Sequence, residues 1–208
     1  IKRFATSEVA ADLQQSGFAL GGHRLHGTVM FCDIRSFTTM VETQAPEETI
    51  ELLNSYYALM FAAIAAQSGV VNQIIGDGLM AIFGAPLPLP EPALAAARAA
   101  LDMVERIKTF NASRSLHRKA PIEIGIGVAS GEMIAGYTGT ETRATYTCIG
   151  DTVNLAARLE THTKVAGHAI LIDGDTAGAI GNRLATENLG QVALKGKELP
   201  VDVFALGS

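Results

Sequence analysis

Two aspartates occupy positions that are typical of divalent-cation ligands. Asp33 directly follows the apolar run 28–32, which predicts a strand buried on both faces. Asp77 lies in a Gly-Asp-Gly sequence between two short apolar stretches, a strong signal for a hairpin turn. Either residue alone fits an ordinary strand end or turn. If the two strands are neighbours in one sheet, both carboxylates emerge at the same end, an arrangement that holds a pair of hard cations against phosphate oxygens.

Two further groups of residues could contact a nucleotide. The segment 34–38 reads Ile-Arg-Ser-Phe-Thr, and its backbone N–H groups at the start of a turn would form a natural phosphate cradle. Asn154 and Arg158 are spaced i, i+4 in a helical pattern, so an amide and a guanidinium can point together at one sugar–phosphate unit. Taken alone, this pair fits a solvated helix face better than a binding site.

The composition limits the class of protein. The chain has 208 residues, of which 48 % are hydrophobic and 18 % charged, so a folded domain with a sizeable core is expected. A net charge of −5 argues against non-specific nucleic-acid binding, and no run approaches the roughly 20 apolar residues of a membrane span. Cys32 and Cys148 are expected to be buried thiols in a reducing, cytoplasmic compartment. The five histidines lack zinc-site spacing, so any metal should be held by oxygen.

The hydrophobic pattern predicts an α+β fold. The first elements are a strand at 28–32, a helix from Pro46 to Gly69, a hairpin over 70–83, a helix through 94–107 and a strand over 122–130 that turns into a second hairpin near Gly131. This order predicts a ferredoxin-like core, in which helices pack on one face of a mixed, mainly antiparallel sheet. The apolar face of the first helix is predicted to consist of Ile50, Leu53, Tyr57, Met60 and Ile64.

The two ends of the chain are predicted to extend this core. At the C-terminal end, the pattern indicates a helix from Thr152 to about Lys164 and strands near 169–172, 192–195 and 201–206. At the other end, residues 1–26 predict a short helix and a linker that enter the domain of residues 27–208. Because the chain starts at Ile1 without a methionine, we expect these residues to have followed a removed upstream region.

Four motifs in one order carry a family resemblance. They resemble the catalytic domain of class III nucleotidyl cyclases, bacterial type, over residues 25 to about 206. The motifs are FCDIRSFT at 31–38, IGDGLMAIFG at 75–84, IGDTVNLAARL at 149–159 and LKGK at 194–197. The resemblance implies a homodimer of ferredoxin-like domains with two active sites at the interface. It also implies conversion of a nucleoside triphosphate to its 3′,5′-cyclic monophosphate and pyrophosphate.

The resemblance implies a role for each matching residue. Asp33, Asp77 and the carbonyl of Ile34 would bind two Mg²⁺ or Mn²⁺ ions, one to lower the pKa of the ribose 3′-hydroxyl and one to hold the β- and γ-phosphates. Asn154 and Arg158 would orient the ribose and stabilise charge on the α-phosphate. The remaining phosphate contacts would come from Phe37, Thr38, Lys195 and, as further candidates, Lys197 and Arg143. A basic turn exposed to water is the alternative explanation for the two lysines.

Base selection is where the sequence departs from the family pattern. Adenine-using members usually have a lysine at the position of Gln73, and many have an aspartate at the position of Thr147, although one large subgroup has threonine. Gln and Thr side chains both donate and accept hydrogen bonds, so neither excludes adenine or guanine. Guanylyl members usually have glutamate and cysteine at these positions, and Cys148 is one residue out of register. The threonine favours ATP.

Three interpretations follow. The first is an adenylyl cyclase, the second a guanylyl or relaxed-specificity cyclase, and the third a catalytically silent domain that binds nucleotide and dimerises. A diguanylate cyclase would have a Gly-Gly-Asp/Glu-Glu-Phe sequence at the hairpin, which is not present. Expected partners are ATP or GTP and a second copy of the chain. We also expect an upstream regulatory domain in the full-length protein, which could anchor it to a membrane, but no membrane contact by this segment.

Overall fold

The main strands and helices follow one another along the chain in the order that the sequence predicts, with two short helices in addition. The computed structural model describes residues 21–140 and 142–207. Their elements are β1 (Gly21–Ile34), α1 (Phe37–Thr43), α2 (Pro46–Ala66), β2 (Val70–Ile75), β3 (Gly78–Phe83), α3 (Pro92–Leu116), β4 (Ile124–Thr140), β5 (Arg143–Ile149), α4 (Asp151–Ala166), β6 (Ile170–Asp173), α5 (Gly174–Ile180), β7 (Thr186–Val192) and β8 (Val201–Leu206). The predicted ferredoxin-like core corresponds to β1, α2, β2, β3, α3 and β4.

One sheet contains all eight strands of the described residues. Its order is β2-β3-β1-β4-β6-β8-β7, and β5 pairs with the distal part of β4. The β4–β6 pair is parallel, whereas the other pairs are antiparallel. The predicted mixed, mainly antiparallel sheet is therefore confirmed, and β6, β7 and β8 form the C-terminal extension.

Alternating side chains of β1 divide the interior into two hydrophobic cores. Met30 and Cys32 face the side that is covered by α2 and α3. Val29 faces the opposite side, where Ala156 and Leu159 of α4 pack. The predicted packing on one face is thus correct for the helices of the ferredoxin-like core, while α4 covers the other face. Asp33 has the same parity as Val29, so its side chain belongs to the α4 side of the sheet.

Helix α4 lies very close to β4 because two glycines of that strand have no side chain. A Cβ atom at Gly127 would overlap the carbonyl oxygen of Ala156 and the amide nitrogen of Glu160, and one at Gly125 would overlap the hydroxyl of Thr163. The helix backbone therefore packs directly on the strand backbone. This contact fixes the height of α4 above the sheet to within less than the size of a methyl group.

Strand β4 is longer than the sequence predicts, and the hairpin expected near Gly131 is wrong. Gly131 pairs with Gly27 inside the β1–β4 ladder, and the strand continues to Thr140. The glycine at this position serves a close approach instead of a turn, since a Cβ atom there would lie 2.6 Å from the hydroxyl of Thr152. The second hairpin connects β4 to β5, which begins at Arg143.

Other element boundaries also differ from the predictions. Residues 21–26 belong to β1 instead of a linker, and the predicted N-terminal helix lies within residues 1–20, outside the described residues. Strand β7 ends at Val192, so Lys195 lies in a loop. The sequence analysis also misses the short helices α1 and α5, and it places the strand β7 too far along the chain.

The buried face of α2 is rotated relative to the predicted face. Leu52 and Tyr56 are buried, whereas Ile50, which we predict to be buried, is 58 % exposed. Apolar residues occur all around this helix, so their spacing alone does not identify the buried side. Among the described helices, α2 alone is long and apolar enough to cross a membrane, and its residues Leu52, Tyr56 and Met60 pack in the core.

The close contact between α4 and β4 predicts a large effect of one added methyl group. Gly127→Ala should lower the free energy of unfolding by about 1–3 kcal/mol or more, because backbone atoms on both sides must move apart. Gly178→Ala, in an open position of α5, is the matched control and should raise it by about 0.5–1 kcal/mol. Urea denaturation measures both. Equal stability of the two variants would contradict the close packing.

Candidate active site

The structure brings the two predicted metal ligands together at one end of the sheet. Strand β1 pairs with β3, so that Cys32 lies opposite Leu79. Asp33 therefore lies beside the turn that precedes β3 and contains Asp77. The backbone N–H of Ile34 donates a hydrogen bond to Oδ2 of Asp77 at 3.0 Å. Two carboxylates and the Ile34 backbone thus converge on one small region.

The electrostatics of this region favour a bound cation. Burial raises the pKa of Asp77 above its ordinary value, and the charge of Asp33 adds to the shift. Oδ1 of Asp33 is buried and has no hydrogen-bond partner among the described residues. No cluster of three or more Asp, Glu, His or Cys side chains suited to a metal occurs in the described part of the chain. Two carboxylates and a carbonyl fit a hard cation that takes its other ligands from phosphate or water.

A third carboxyl group, which the sequence analysis misses, contacts Asp33. Glu160 of α4 is 8 % exposed, and its Oε1 has no hydrogen-bond partner among the described residues. Burial raises the pKa of Glu160 to about 9, and a hydrogen bond with Asp33 adds to the shift. Burial and the neighbouring Asp33 charge therefore both favour the protonated form of Glu160. One sequence signal could have identified Glu160: it is spaced i, i+4 from the apolar Ala156, which places a carboxyl group on the buried face of the helix.

The turn that contains Asp77 is held by a second residue that sequence reasoning places only in the core. The hydroxyl of Tyr57 donates a hydrogen bond to the carbonyl of Gly76. Burial raises the pKa of Tyr57, and the nearby charge of Asp77 adds to the shift. Tyr57 therefore stays protonated and restrains the residue next to Asp77.

A surface on the N-terminal half of α4 collects the predicted transition-state residues. Asn154 is exposed, and Arg158 is half-buried. The loop 194–197 packs against Arg158: Gly196 lies beside its guanidinium, since an added Cβ atom would lie 3.3 Å from its Nε. Lys197 donates to the Asp151 carboxylate at 2.7 Å. Lys195 is exposed in the same loop, so these residues form one basic surface.

The metal-ligand region and this basic surface lie on different sides of α4. Glu160 contacts Asp33, whereas Arg158, two residues earlier, contacts the lysine loop. At about 100° per residue, these two side chains leave the helix roughly 160° apart. Asn154 lies about 9 Å from Glu160 along the helix axis, towards the N-terminal end of α4. Within one chain, Asp33 and Arg158 therefore do not face a common ligand.

The two predicted base-recognition residues lie on adjacent parts of the sheet. The amide of Asn72 donates to the carbonyl of Tyr146 at 3.4 Å, which links β2 to β5. Gln73 and Thr147 directly follow these two residues. Cys148 points to the opposite face of β5 from Thr147, is 3 % exposed, and has its pKa raised to about 12 by burial. The cysteine is therefore a core thiol and does not replace Thr147 as a base contact.

A cleft of about 140 Å³ connects the metal-ligand region with Gln73. It lies between β1, the β2–β3 hairpin and α4. Its lining includes Asp33, Gln73, Ile75, Leu79 and Glu160. The side chain predicted to contact the base and a predicted metal ligand of the same chain thus border one open space.

Three other predicted phosphate contacts have different positions. Phe37 and Thr38 begin α1 directly after Ser36, whose backbone is left-handed with φ 57°, so they lie close to the aspartates in the chain. Arg143 begins β5 opposite Thr140, at the far end of β4. Strand β4 has 17 residues, or roughly 50 Å, and Asp33 pairs near its start. The structure therefore does not bring Arg143 to the aspartates of its own chain.

Comparison with known proteins identifies the family. A family model described as the adenylate and guanylate cyclase catalytic domain matches residues 25–207. The chain belongs to the class III nucleotidyl cyclases. The crystal structure of the adenylyl cyclase CyaB from P. aeruginosa matches this cyclase domain with a TM-score of 0.83 at 33 % identity, over 91 % of this chain and 97 % of CyaB.

The similar cyclases use different bases. The crystal structure of the guanylyl cyclase Cya2 matches with a TM-score of 0.81 at 31 % identity, over 90 % of this chain and 94 % of Cya2. Adenylate cyclase 1 of Rhizobium meliloti (strain 1021) is 33 % identical over 177 residues, which are 85 % of this chain and 27 % of the relative. The chain thus spans about a quarter of that relative. The choice between ATP and GTP depends on the residues of the site.

Proposed function

We propose that this cyclase domain is an adenylyl cyclase that converts ATP to 3′,5′-cyclic AMP and pyrophosphate at the interface of a homodimer. The observation that carries the proposal is the convergence of Asp33, Ile34 and Asp77, joined by the 3.0 Å hydrogen bond from the Ile34 N–H. Its counterpart is the separate basic surface that contains Asn154, Arg158 and the lysine loop.

The carboxylates define where the reaction takes place. Two Mg²⁺ or Mn²⁺ ions, when bound, would supply an activated ribose 3′-hydroxyl and charge neutralisation at the phosphates. Asp33 and Asp77 would hold them with the Ile34 carbonyl. Glu160 lies beside Asp33 in the lining of one cleft, while Tyr57 restrains the turn that carries Asp77. The chain therefore provides ligands whose orientation is set before substrate binds.

The basic surface supplies the groups that bind the rest of the nucleotide. The guanidinium of Arg158 can donate several hydrogen bonds to the α-phosphate, on which negative charge increases in the transition state. Asn154, one turn earlier, can hold the ribose hydroxyl in line with the phosphorus. Lys195, exposed in the adjacent loop, is suited to the terminal phosphates, and Lys197 sets the position of that loop through Asp151.

A second chain is needed to bring the two sets of residues together. In one chain, the aspartates and Arg158 lie on different sides of α4, and the cleft beside Asp33 holds about 140 Å³, whereas ligand pockets usually have about 300–1,000 Å³. A two-fold homodimer would place the basic surface of one protomer against the aspartates of its partner and form two equivalent sites.

Adenine is the favoured base, and guanine is the runner-up. Gln73 and Thr147 each follow a residue of the Asn72–Tyr146 hydrogen bond that links β2 to β5, and each side chain can donate or accept a hydrogen bond. Adenine presents an acceptor at N1 and a donor at N6. The side chains of Gln73 and Thr147 can satisfy both of these groups. Because they can also satisfy guanine, and because this chain is similar to both an adenylyl and a guanylyl cyclase, relaxed specificity is the second candidate.

Product analysis tests the proposed reaction. The purified chain is incubated with ATP or with GTP, each with Mg²⁺ or Mn²⁺. It should release more cyclic AMP from ATP than cyclic GMP from GTP. Asp77→Asn keeps an acceptor for the Ile34 N–H but removes the charge, and should lower turnover by about 10³-fold or more. Asp175→Asn, on α5, is the charge-matched control and should leave turnover unchanged. Absence of any cyclic product would favour the silent nucleotide-binding domain.

The base pocket gives a second prediction. Gln73→Lys should raise the ratio of kcat/KM for ATP over GTP, because a fixed cation suits N1 of adenine and opposes the N1–H of guanine. The change should be about 10-fold, which is typical of one hydrogen-bond mismatch in a partly solvated pocket. Gln191→Lys, the same substitution on β7, should not change the ratio. An unaltered ratio in Gln73→Lys would show that this residue does not contact the base.

A further inference from the structure

Two backbone hydrogen bonds hold the segment that follows Asp33. The Ile34 N–H donates to Asp77, and the Arg35 N–H donates to the carbonyl of Glu123 at 2.8 Å. The next residue, Ser36, has a left-handed backbone with φ 57°, where a side chain is rarely accommodated. The chain therefore reverses sharply just after the proposed metal ligands, and these few contacts must hold the reversal.

The side chain of Arg35 adds a third attachment, which reaches the C-terminal end of α4. Its Nη2 donates to the carbonyl of His168 at 2.8 Å and to that of Thr163 at 3.3 Å. Its Nη1 lies 3.7 Å from a carboxylate oxygen of Glu123. The Arg35 side chain is 20 % exposed, so these contacts form away from bulk water. A cation at this end of a helix also interacts favourably with the helix dipole.

Helix α4 is a rigid anchor for this attachment. Its backbone packs directly on β4 at Gly127, and its Thr163 side chain packs on Gly125. Thr163, whose carbonyl receives the Arg35 hydrogen bond, is itself the residue that would overlap a side chain at Gly125. The guanidinium therefore connects the metal-ligand segment to a residue of α4 that packs directly on β4.

We propose that Arg35 is a positioning residue for the metal site: it holds the Asp33–Ile34 segment against the end of α4 so that the Asp33 carboxylate and the Ile34 carbonyl keep the geometry of cation ligands. This inference rests on the proposed function. Arg35 touches neither the cation nor the nucleotide, and acts through the backbone on either side of it. Residues that orient metal ligands typically change metal affinity by about 10- to 100-fold when they are replaced.

The chain offers a matched control for this role. Arg183 also donates to the carbonyls at the end of a helix, Ile180 at 3.0 Å and Ala179 at 2.7 Å, and pairs with Glu91. Its helix is α5, which carries none of the proposed site residues. Arg35→Met and Arg183→Met remove the same kind of contact, so a general loss of stability should affect both, whereas a change in metal binding should affect Arg35→Met alone.

The test measures Mn²⁺ binding by electron paramagnetic resonance of free Mn²⁺ in the presence of 3′-deoxy-ATP, which cannot cyclise, and compares it with a titration without protein because the nucleotide itself binds Mn²⁺. Arg35→Met should weaken Mn²⁺ binding about 10-fold or more, and Arg183→Met should bind within about twofold of the wild type. In turnover assays, Arg35→Met should need more Mg²⁺ for half-maximal rate, with a smaller loss of kcat at saturating metal. If Arg35→Met does not fold, Arg35→Lys, which keeps the charge but loses the planar fork, takes its place with Arg183→Lys as control.

Two results would overturn the inference alone. One is Mn²⁺ binding by the Arg35 variant within about twofold of the wild type, and the other is an equal loss in the Arg183 variant. A wild-type chain that binds no Mn²⁺ with the nucleotide would overturn the proposed function itself, and the role of Arg35 with it. The wild-type titration therefore separates the two failures.

Discussion

The contact between the backbone of α4 and the backbone of β4 is the constraint on which the rest of the site depends. It exists because Gly125 and Gly127 present no side chain where the helix crosses the strand. At this height, Glu160 reaches Asp33, and the end of the helix comes within reach of Arg35.

The same helix also separates the two halves of the chemistry. One side of α4 supports the aspartates, and the other side, with the lysine loop, presents Asn154 and Arg158. A single rigid element therefore fixes both halves but directs them away from each other. Under the proposed homodimer, each α4 helix contributes to both active sites, supporting the aspartates of one and supplying the arginine of the other. This arrangement explains why a chain with a full set of residues has no complete site of its own.

Local patterns in the sequence predict much of this structure, and the failures have physical causes. The pairing of Asp33 with Asp77 follows from a strand end and a Gly-Asp-Gly turn, both of which are local signals. The predicted turn at Gly131 is wrong because this glycine allows a close approach to Thr152. That contact involves a partner 21 residues away and leaves no local signal in the sequence. The sequence analysis misses Glu160 because its place in the site depends on lying beside Asp33, and the sequence does not show that the two residues are neighbours.

Mixing two inactive variants tests the shared site most directly. Asp33→Ala and Arg158→Ala homodimers should each be nearly inactive, because every site lacks one group. In a purified heterodimer of the two, one site collects both defects and the other has none, so activity should return to about half that of the wild-type dimer. Heterodimers with verified subunit composition that stay as inactive as their parents would contradict the interfacial site and the roles assigned to Asn154 and Arg158.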